Sequence, residues 1–247
     1  MKIVITLTSW KKRINNLYNF LYIFFKTQKN FPDIFYIWLA EDEFPNKEYD
    51  LDNKLLKIIK DKNIQLKWLP GNDKVFKRWY VYPEHYEDLV ISIDDDRIYP
   101  FDLIEEAKKV EQNTILPIYK NENEKEVISD YNWICGQCII PPKTFPLEAI
   151  NEEFTKLRKR LNIECDEAWL EAFLYKNKIN VLFAPMKYSD PIFLTSYFSE
   201  SQLSGMWIDF KQRHYDKVKI FENLVKILNE EYNFNIHPNI TYFINNV

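Results

Sequence analysis

The chain has 247 residues, of which 46% are hydrophobic, 17% aromatic and 28% charged, a balance that excludes intrinsic disorder and suits one packed domain with elaborations. A formal net charge of −4 offers no general attraction to phosphate backbones, so nucleic acid is not an expected partner. Three cysteines, an odd number, argue against a disulfide framework and for a reducing compartment.

In chain order, apolar β-rich runs fall at Ile3 to Leu7, Ile34 to Leu39, Ile64 to Leu69 and Leu89 to Ile93. Helical spacing separates the first three: Leu17, Leu21 and Phe24, then Leu51, Leu55, Ile58 and Ile59. Such alternation predicts a parallel sheet with its strands buried on both faces. A helix is expected near Asp102 to Glu111, a short strand at Ile115 to Ile118, and an exposed loop over the polar run Asn121 to Glu126. The second half predicts a helix from Leu147 to Leu161, another from about Asp166, a strand at Val181 to Ala184 and an amphipathic helix around Val218 to Leu228. The aperiodic, aromatic stretch 188–215 reads as a lid or acceptor-binding segment. The expected architecture is a single α/β domain with a Rossmann-like, mostly parallel central sheet flanked by helices. Residues 1–120 would form a nucleotide-binding half, and residues 121–247 an acceptor-binding half with a C-terminal helical and irregular elaboration.

Leu17 to Phe25, the longest apolar run, is far below the ~20 residues of a membrane span. The chain therefore reads as cytoplasmic, with at most peripheral contact at the inner face of a membrane. The sequence does not fix an oligomeric state. Cys135 and Cys138 form C-G-Q-C, but Pro141 and Pro142 disfavour the helix that a redox motif needs, and no second C-x-x-C completes a zinc quartet. Buried thiols are the simpler reading. With only Gly71, Gly136 and Gly205, neither a G-x-G-x-x-G turn nor a Gly-rich P-loop can be written. A nucleotide held without glycines calls for another device, of which a carboxylate-bound divalent cation is the obvious one.

LVISIDDDRIYP places Asp94, Asp95 and Asp96 directly after an apolar strand, where a parallel sheet puts its ligand crevice. Strand alternation predicts that Asp94 and Asp96 share a target while Asp95 faces elsewhere. Mn²⁺ or Mg²⁺ would relieve the repulsion of three anions, and the bland alternative is an exposed acidic turn before an N-cap at Asp102. Asp166, at the head of a helical pattern through Trp169, Leu170, Phe173 and Leu174, reads either as an N-cap or as a general base. Lys11, Lys12 and Arg13, and Lys74, Lys77 and Arg78, are candidate diphosphate contacts. His214, at the end of the expected lid, is a candidate metal ligand.

Six segments, ITLTSWKKRI, IWLAEDEFP, NDKVFKRW, ISIDDDRIYP, GQCIIPP and CDEAWL, together resemble a bacterial glycosyltransferase family of the GT-A fold that builds surface polysaccharides and lipooligosaccharides. The resemblance runs from Ile5 to about Pro185. It implies a nucleotide-diphospho-sugar donor, most readily a UDP-sugar, and a glycan or lipid-linked glycan acceptor. It also implies that Thr8, Ser9, Arg13 and Lys77 meet the nucleotide, that Asp94 and Asp95 lie beside the donor, that Asp94 and Asp96 bind the metal, and that Asp166 or Glu167 is the base. The segment around Cys135 to Cys138 departs from the family in its shortage of glycine. Two other classes suit clustered carboxylates: a divalent-metal nucleotidyltransferase or phosphohydrolase, and a non-catalytic sugar-nucleotide-binding relative.

Overall fold

The computed structural model describes residues 1–118, 136–181 and 210–237, with the side chains of 210–217 left out. Strands β1 (Ile3–Thr8), β2 (Ile34–Ala40), β3 (Gln65–Leu69) and β4 (Leu89–Ile93) pair in parallel, β2 and β4 flanking β1 and β3 lying outside β2. Each comes from an apolar run, and β1 and β4 are buried along almost their whole length. β5 (Thr114–Pro117), β6 (Cys138–Ile140) and β7 (Asn180–Val181) extend the sheet, giving the order β3-β2-β1-β4-β6-β5-β7 among the described residues.

The mostly parallel sheet expected from the sequence is found, with one strand reversed. β6 runs antiparallel to both β4 and β5, and β7 is parallel to β5. The chain enters β6 at Gly136 and leaves it at Pro141-Pro142, so this short strand is a hairpin-like return rather than a crossover product. The sheet is therefore mixed but mostly parallel.

Alternation along the strands sorts side chains into two cores. Ile3, Ile5 and Leu7 join Ile37, Leu39, Ile91 and Ile93 beneath α1 (Ile14–Thr27), α2 (Asn53–Asp61) and a short helix later in the chain. Val4, Tyr36, Trp38 and Val90 face the opposite layer. There a 3-10 segment, Lys74–Val81, runs into the single turn α3 (Tyr82–His85). Trp79 and Trp169 are fully buried on this side.

Four helices differ from expectation at their ends. The helix expected over Asp102 to Glu111 is only α4 (Leu103–Ala107), and Asp102 makes no side-chain capping bond. The Leu147 to Leu161 helix is broken: a 3-10 turn, Leu147–Ile150, precedes α5 (Glu152–Arg160) because the Asn151 side chain accepts from the Phe154 amide at 2.8 Å and restarts the helix. In α6 (Asp166–Asn177) the cap is Cys165, so Asp166 is the first helical residue rather than the cap. α7 (Phe210–Tyr232) is longer than the Val218 to Leu228 pattern, and Phe221, Leu224 and Leu228 bury its inner face. The 121–126 loop, Cys135 and residues 188–209 lie outside the described residues.

Candidate active site

The site begins with a register. β1 and β4 are paired with Leu7 opposite Ile93, so two residues further on, where both chains leave the sheet, Ser9 stands opposite Asp95. The Ser9 hydroxyl donates to Asp95 Oδ2. Arg13 sits in the N-cap position of α1, after a turn in which the amides of Arg13 and Ile14 donate to the Trp10 carbonyl. From there its guanidinium forks across two carboxylates, Nη1 to Asp95 Oδ1 at 2.6 Å and Nη2 to Asp96 Oδ2 at 3.1 Å. All three side chains are at most 10% exposed. Burial works to lower the Arg13 pKa, but Asp95 and Asp96 hold it above its ordinary value.

Asp94 belongs to a different arginine. Arg78 Nη1 donates to Asp94 Oδ1 at 2.6 Å, and Gln137 Nε2 donates to Asp94 Oδ2 at 2.7 Å. The Tyr99 hydroxyl oxygen accepts from the Asp94 amide at 2.7 Å, fixing the turn after β4. Arg78 is in turn pinned through its own atoms: Nη1 donates to the Gly136 carbonyl at 2.8 Å, Nε to the Val75 carbonyl at 3.2 Å, and its carbonyl accepts from Thr6 Oγ1 at 2.9 Å. A Cβ at position 136 would collide with the Arg78 guanidinium, so glycine is required where this backbone closes over the arginine. Within the protein, Asp94 and Asp96 therefore engage different arginines. The chain turns immediately after Ile93 instead of continuing as a strand, and Asp95 and Asp96 become the pair that shares a cation.

The electrostatics separate the triplet. Burial raises the Asp94 pKa, but Arg78, Arg97 and Arg13 outweigh it and hold the carboxyl below its ordinary range. Burial pushes Asp96 up to about 6, with Asp94 and Asp95 adding to the rise against the pull of Arg13. Burial therefore sets Asp96 apart from Asp94, whose carboxyl the arginines hold ionised.

Asp166 approaches from the other layer. Trp79 Nε1 donates to Asp166 Oδ2 at 3.0 Å, and the carboxylate is 7% exposed. Burial acts to lower the Arg78 pKa, yet Asp94 and Asp166 together raise it, which places this guanidinium between the triplet and the head of α6. Glu167 accepts from the Cys165 thiol at 3.6 Å. Thr8 Oγ1 donates to the Trp38 carbonyl at 3.1 Å and so serves the β1–β2 seam. Lys77 is 1% exposed and lies against Asn72 Oδ1 at 3.3 Å and Glu43 Oε2 at 4.0 Å, with burial lowering its pKa to about 8. Lys74 pairs with Glu164, and Lys11 and Lys12 are exposed. The His214 side chain lies outside the described residues. Cys138 is a buried cysteine in β6.

Among the described residues no three His, Cys, Asp or Glu side chains converge as a ready-made metal cage. The donor set nevertheless fits a hard cation at one point. Both oxygens of Asp94 and both of Asp95 accept hydrogen bonds, whereas Asp96 is engaged by Arg13 through Oδ2 and carries the raised pKa. Asp96 suits a cation that takes one or two protein carboxylates and completes its shell with phosphate oxygens and water. Asp94 becomes available only by releasing Arg78 or Gln137.

Gln137, Tyr99 and Trp79 escape sequence reasoning, and Arg78 is visible there only as one of several cations. The one usable signal is Gly136, a glycine in a chain that has three.

No protein-family model matches the sequence, and neither does any curated protein. Among solved structures, the chain is similar to a mannosyltransferase from Pyrobaculum calidifontis in complex with GDP-Man and Mn²⁺, at 10% identity and a TM-score of 0.46, over 74% of this chain and 54% of that one. It thus spans about half the length of that protein. S. aureus TarS 1-349 in complex with UDP matches at 15% identity and a TM-score of 0.46, over 95% and 68% of the two chains. A cytidylyltransferase from Leptospira borgpetersenii matches at 11% identity and a TM-score of 0.40, over 95% and 96%.

Proposed function

We propose that the chain is a metal-dependent glycosyltransferase with a GT-A-like domain, moving a sugar from a nucleotide-diphospho-sugar, most readily a UDP-sugar, to a hydroxyl of a glycan or lipid-linked glycan acceptor in surface polysaccharide synthesis. The observation that carries this reading is the Ser9–Asp95–Arg13–Asp96 cluster at the carboxyl ends of β1 and β4. It sets Asp96, a carboxylate whose ionisation burial opposes, at the end of a parallel sheet, where such sheets bind ligands. The six-segment resemblance supplies the substrate class.

Mn²⁺ or Mg²⁺ bound there would neutralise the donor diphosphate and help the nucleotide depart. Asp96 would hold that cation, and Asp94 would join it on exchange of its Arg78 or Gln137 contact. Arg13 fixes Asp95 and Asp96 at the head of α1, while Ser9 sets the orientation of Asp95. Arg78 holds Asp94 in place. Asp166, oriented by the Trp79 indole, accepts the proton of the acceptor hydroxyl, and Glu167 is the neighbouring candidate for that role. Thr8 and Lys77 as nucleotide contacts, and His214 as a metal ligand, are carried over from the sequence resemblance and reading.

A panel of nucleotide sugars with Mn²⁺ or Mg²⁺, read by thermal shift and by product identity, tests the proposal. Sugar transfer leaves an intact nucleoside diphosphate. Pyrophosphate release would replace this reading with nucleotidyl transfer, acceptor-independent phosphate release with hydrolysis, and nucleotide binding without any product with a non-catalytic relative.

A further inference from the structure

The aromatic run Leu17 to Phe25 is only half consumed by the core. Leu17, Phe20, Leu21 and Phe24 are buried beneath α1, whereas Tyr18 and Phe25 are only partly buried at the core's edge and Tyr22 is exposed. Tyr18 and Tyr22 stack at 6.2 Å, and Phe25 meets Phe31 at 5.7 Å. Tyr22 is 49% and Phe31 53% exposed. Between α1 and α2, Tyr18, Tyr22 and Phe25 line an open groove of about 480 Å³, and Phe31 reaches its edge through Phe25.

The groove's charge is one-sided. Its rim carries Lys26, Lys54, Lys57 and Lys62 against Asp61 alone, four positive charges less one negative, hence +3, in a chain whose overall charge is −4. Lys62 lies over both the Phe25 ring at 5.3 Å and the Phe31 ring at 5.7 Å, and Lys26 lies 5.8 Å from the Tyr22 ring. The Lys26 and Lys62 ammonium groups thus lie over aromatic rings on exposed side chains, and Lys54 and Lys57 are exposed beside them. Half-exposed rings set among exposed lysines match the interface of an anionic bilayer, where rings sit at headgroup depth and ammonium groups meet lipid phosphates.

We propose that the outer face of α1 and α2 is a docking surface for a membrane rich in anionic phospholipid. Because Arg13, at the head of α1, is the residue that holds Asp95 and Asp96, attachment along this helix would fix the orientation of the carboxylate crevice relative to the lipid surface. The inference stands on the surface itself and holds whatever reaction the crevice performs.

Co-flotation of the full chain with vesicles tests it, comparing pure phosphatidylcholine with phosphatidylcholine containing about a third phosphatidylglycerol. Binding is expected with the anionic vesicles only, and to weaken as salt rises. K54Q and K57Q should each reduce partitioning roughly five-fold at low salt. A variant carrying Y22S and F31S, checked for unchanged circular dichroism and unfolding temperature, should also detach. Equal binding to neutral vesicles, no binding to anionic ones at low salt, or wild-type binding by K54Q/K57Q would overturn the proposal. So would saturation of the same lysines by a soluble acidic polysaccharide in place of vesicles.

Discussion

Arg78 and Asp94 form a locked pair, Nη1 to Oδ1 at 2.6 Å, and the same Nη1 also donates to the Gly136 carbonyl at 2.8 Å. Their side chains are 5% and 24% exposed. Removing one partner from such a pair leaves an uncompensated buried charge, a loss of about 3–5 kcal/mol. Arg78→Met should therefore lower the unfolding free energy by about 3 kcal/mol in denaturant titration. Arg78→Met combined with Asp94→Asn should recover at least ~1 kcal/mol of it. Additive losses would show that the two side chains are not coupled.

Gly136→Ala attacks the same lock from the other side. The added Cβ collides with the Arg78 guanidinium, and overpacking of this kind costs about 1–3 kcal/mol. The variant should also lose most of its transfer activity, because Arg78 cannot both yield to the methyl group and keep Asp94 in place. Wild-type stability and turnover in Gly136→Ala would refute the close approach.

The base assignment separates two substitutions at one residue. Asp166→Asn keeps an oxygen for the Trp79 indole, which now donates at 3.0 Å, so its unfolding temperature should stay near that of the parent. Asp166→Ala leaves that buried N–H unsatisfied and should cost about 1–3 kcal/mol. Both should lose transfer while still binding nucleotide, as read by calorimetry. Full activity in Asp166→Asn would pass the role to Glu167.

How much of this is legible in sequence depends on the length of the signal. β1, β2 and β4 are each runs of apolar residues buried on both faces, and such runs announce themselves. β6 does not, because three residues squeezed between Gly136 and Pro141 carry no periodicity, and its antiparallel direction is set by pairing with β4 and β5. The triplet's position after β4 follows from the strand, but its internal division does not. Alternation presumes that the strand continues past Ile93, whereas the Tyr99 hydroxyl turns the backbone at Asp94. Asp166 is visible as the head of a helix. That Trp79 orients it is invisible, since 87 residues separate them and only the packing of the 3-10 segment against α6 brings them together.

Titration of Asp96 gives a pH dependence with a defined sign. Burial, with Asp94 and Asp95, raises its folded-state pKa to about 6 against the pull of Arg13, so the folded chain holds this proton more tightly than the unfolded one. The stabilisation is fully present below about pH 4, the unfolded carboxyl's range, and is lost as the pH rises through 6. Asp96→Asn, neutral throughout, should match the parent's unfolding temperature near pH 4 and exceed it at pH 7. A parent that gains stability relative to Asp96→Asn between pH 4 and pH 7 would reverse the assigned direction.

The most direct test is turnover by Asp96→Ala with Mn²⁺ and a nucleotide-sugar donor, followed as nucleoside diphosphate released and sugar transferred. Charge stabilisation by a bound cation is worth several kcal/mol, so the variant should remain folded and lose turnover by on the order of 10² to 10⁴. Near-parental transfer by folded Asp96→Ala would contradict a cation held at this carboxylate, and with it the glycosyltransferase mechanism built on the triplet.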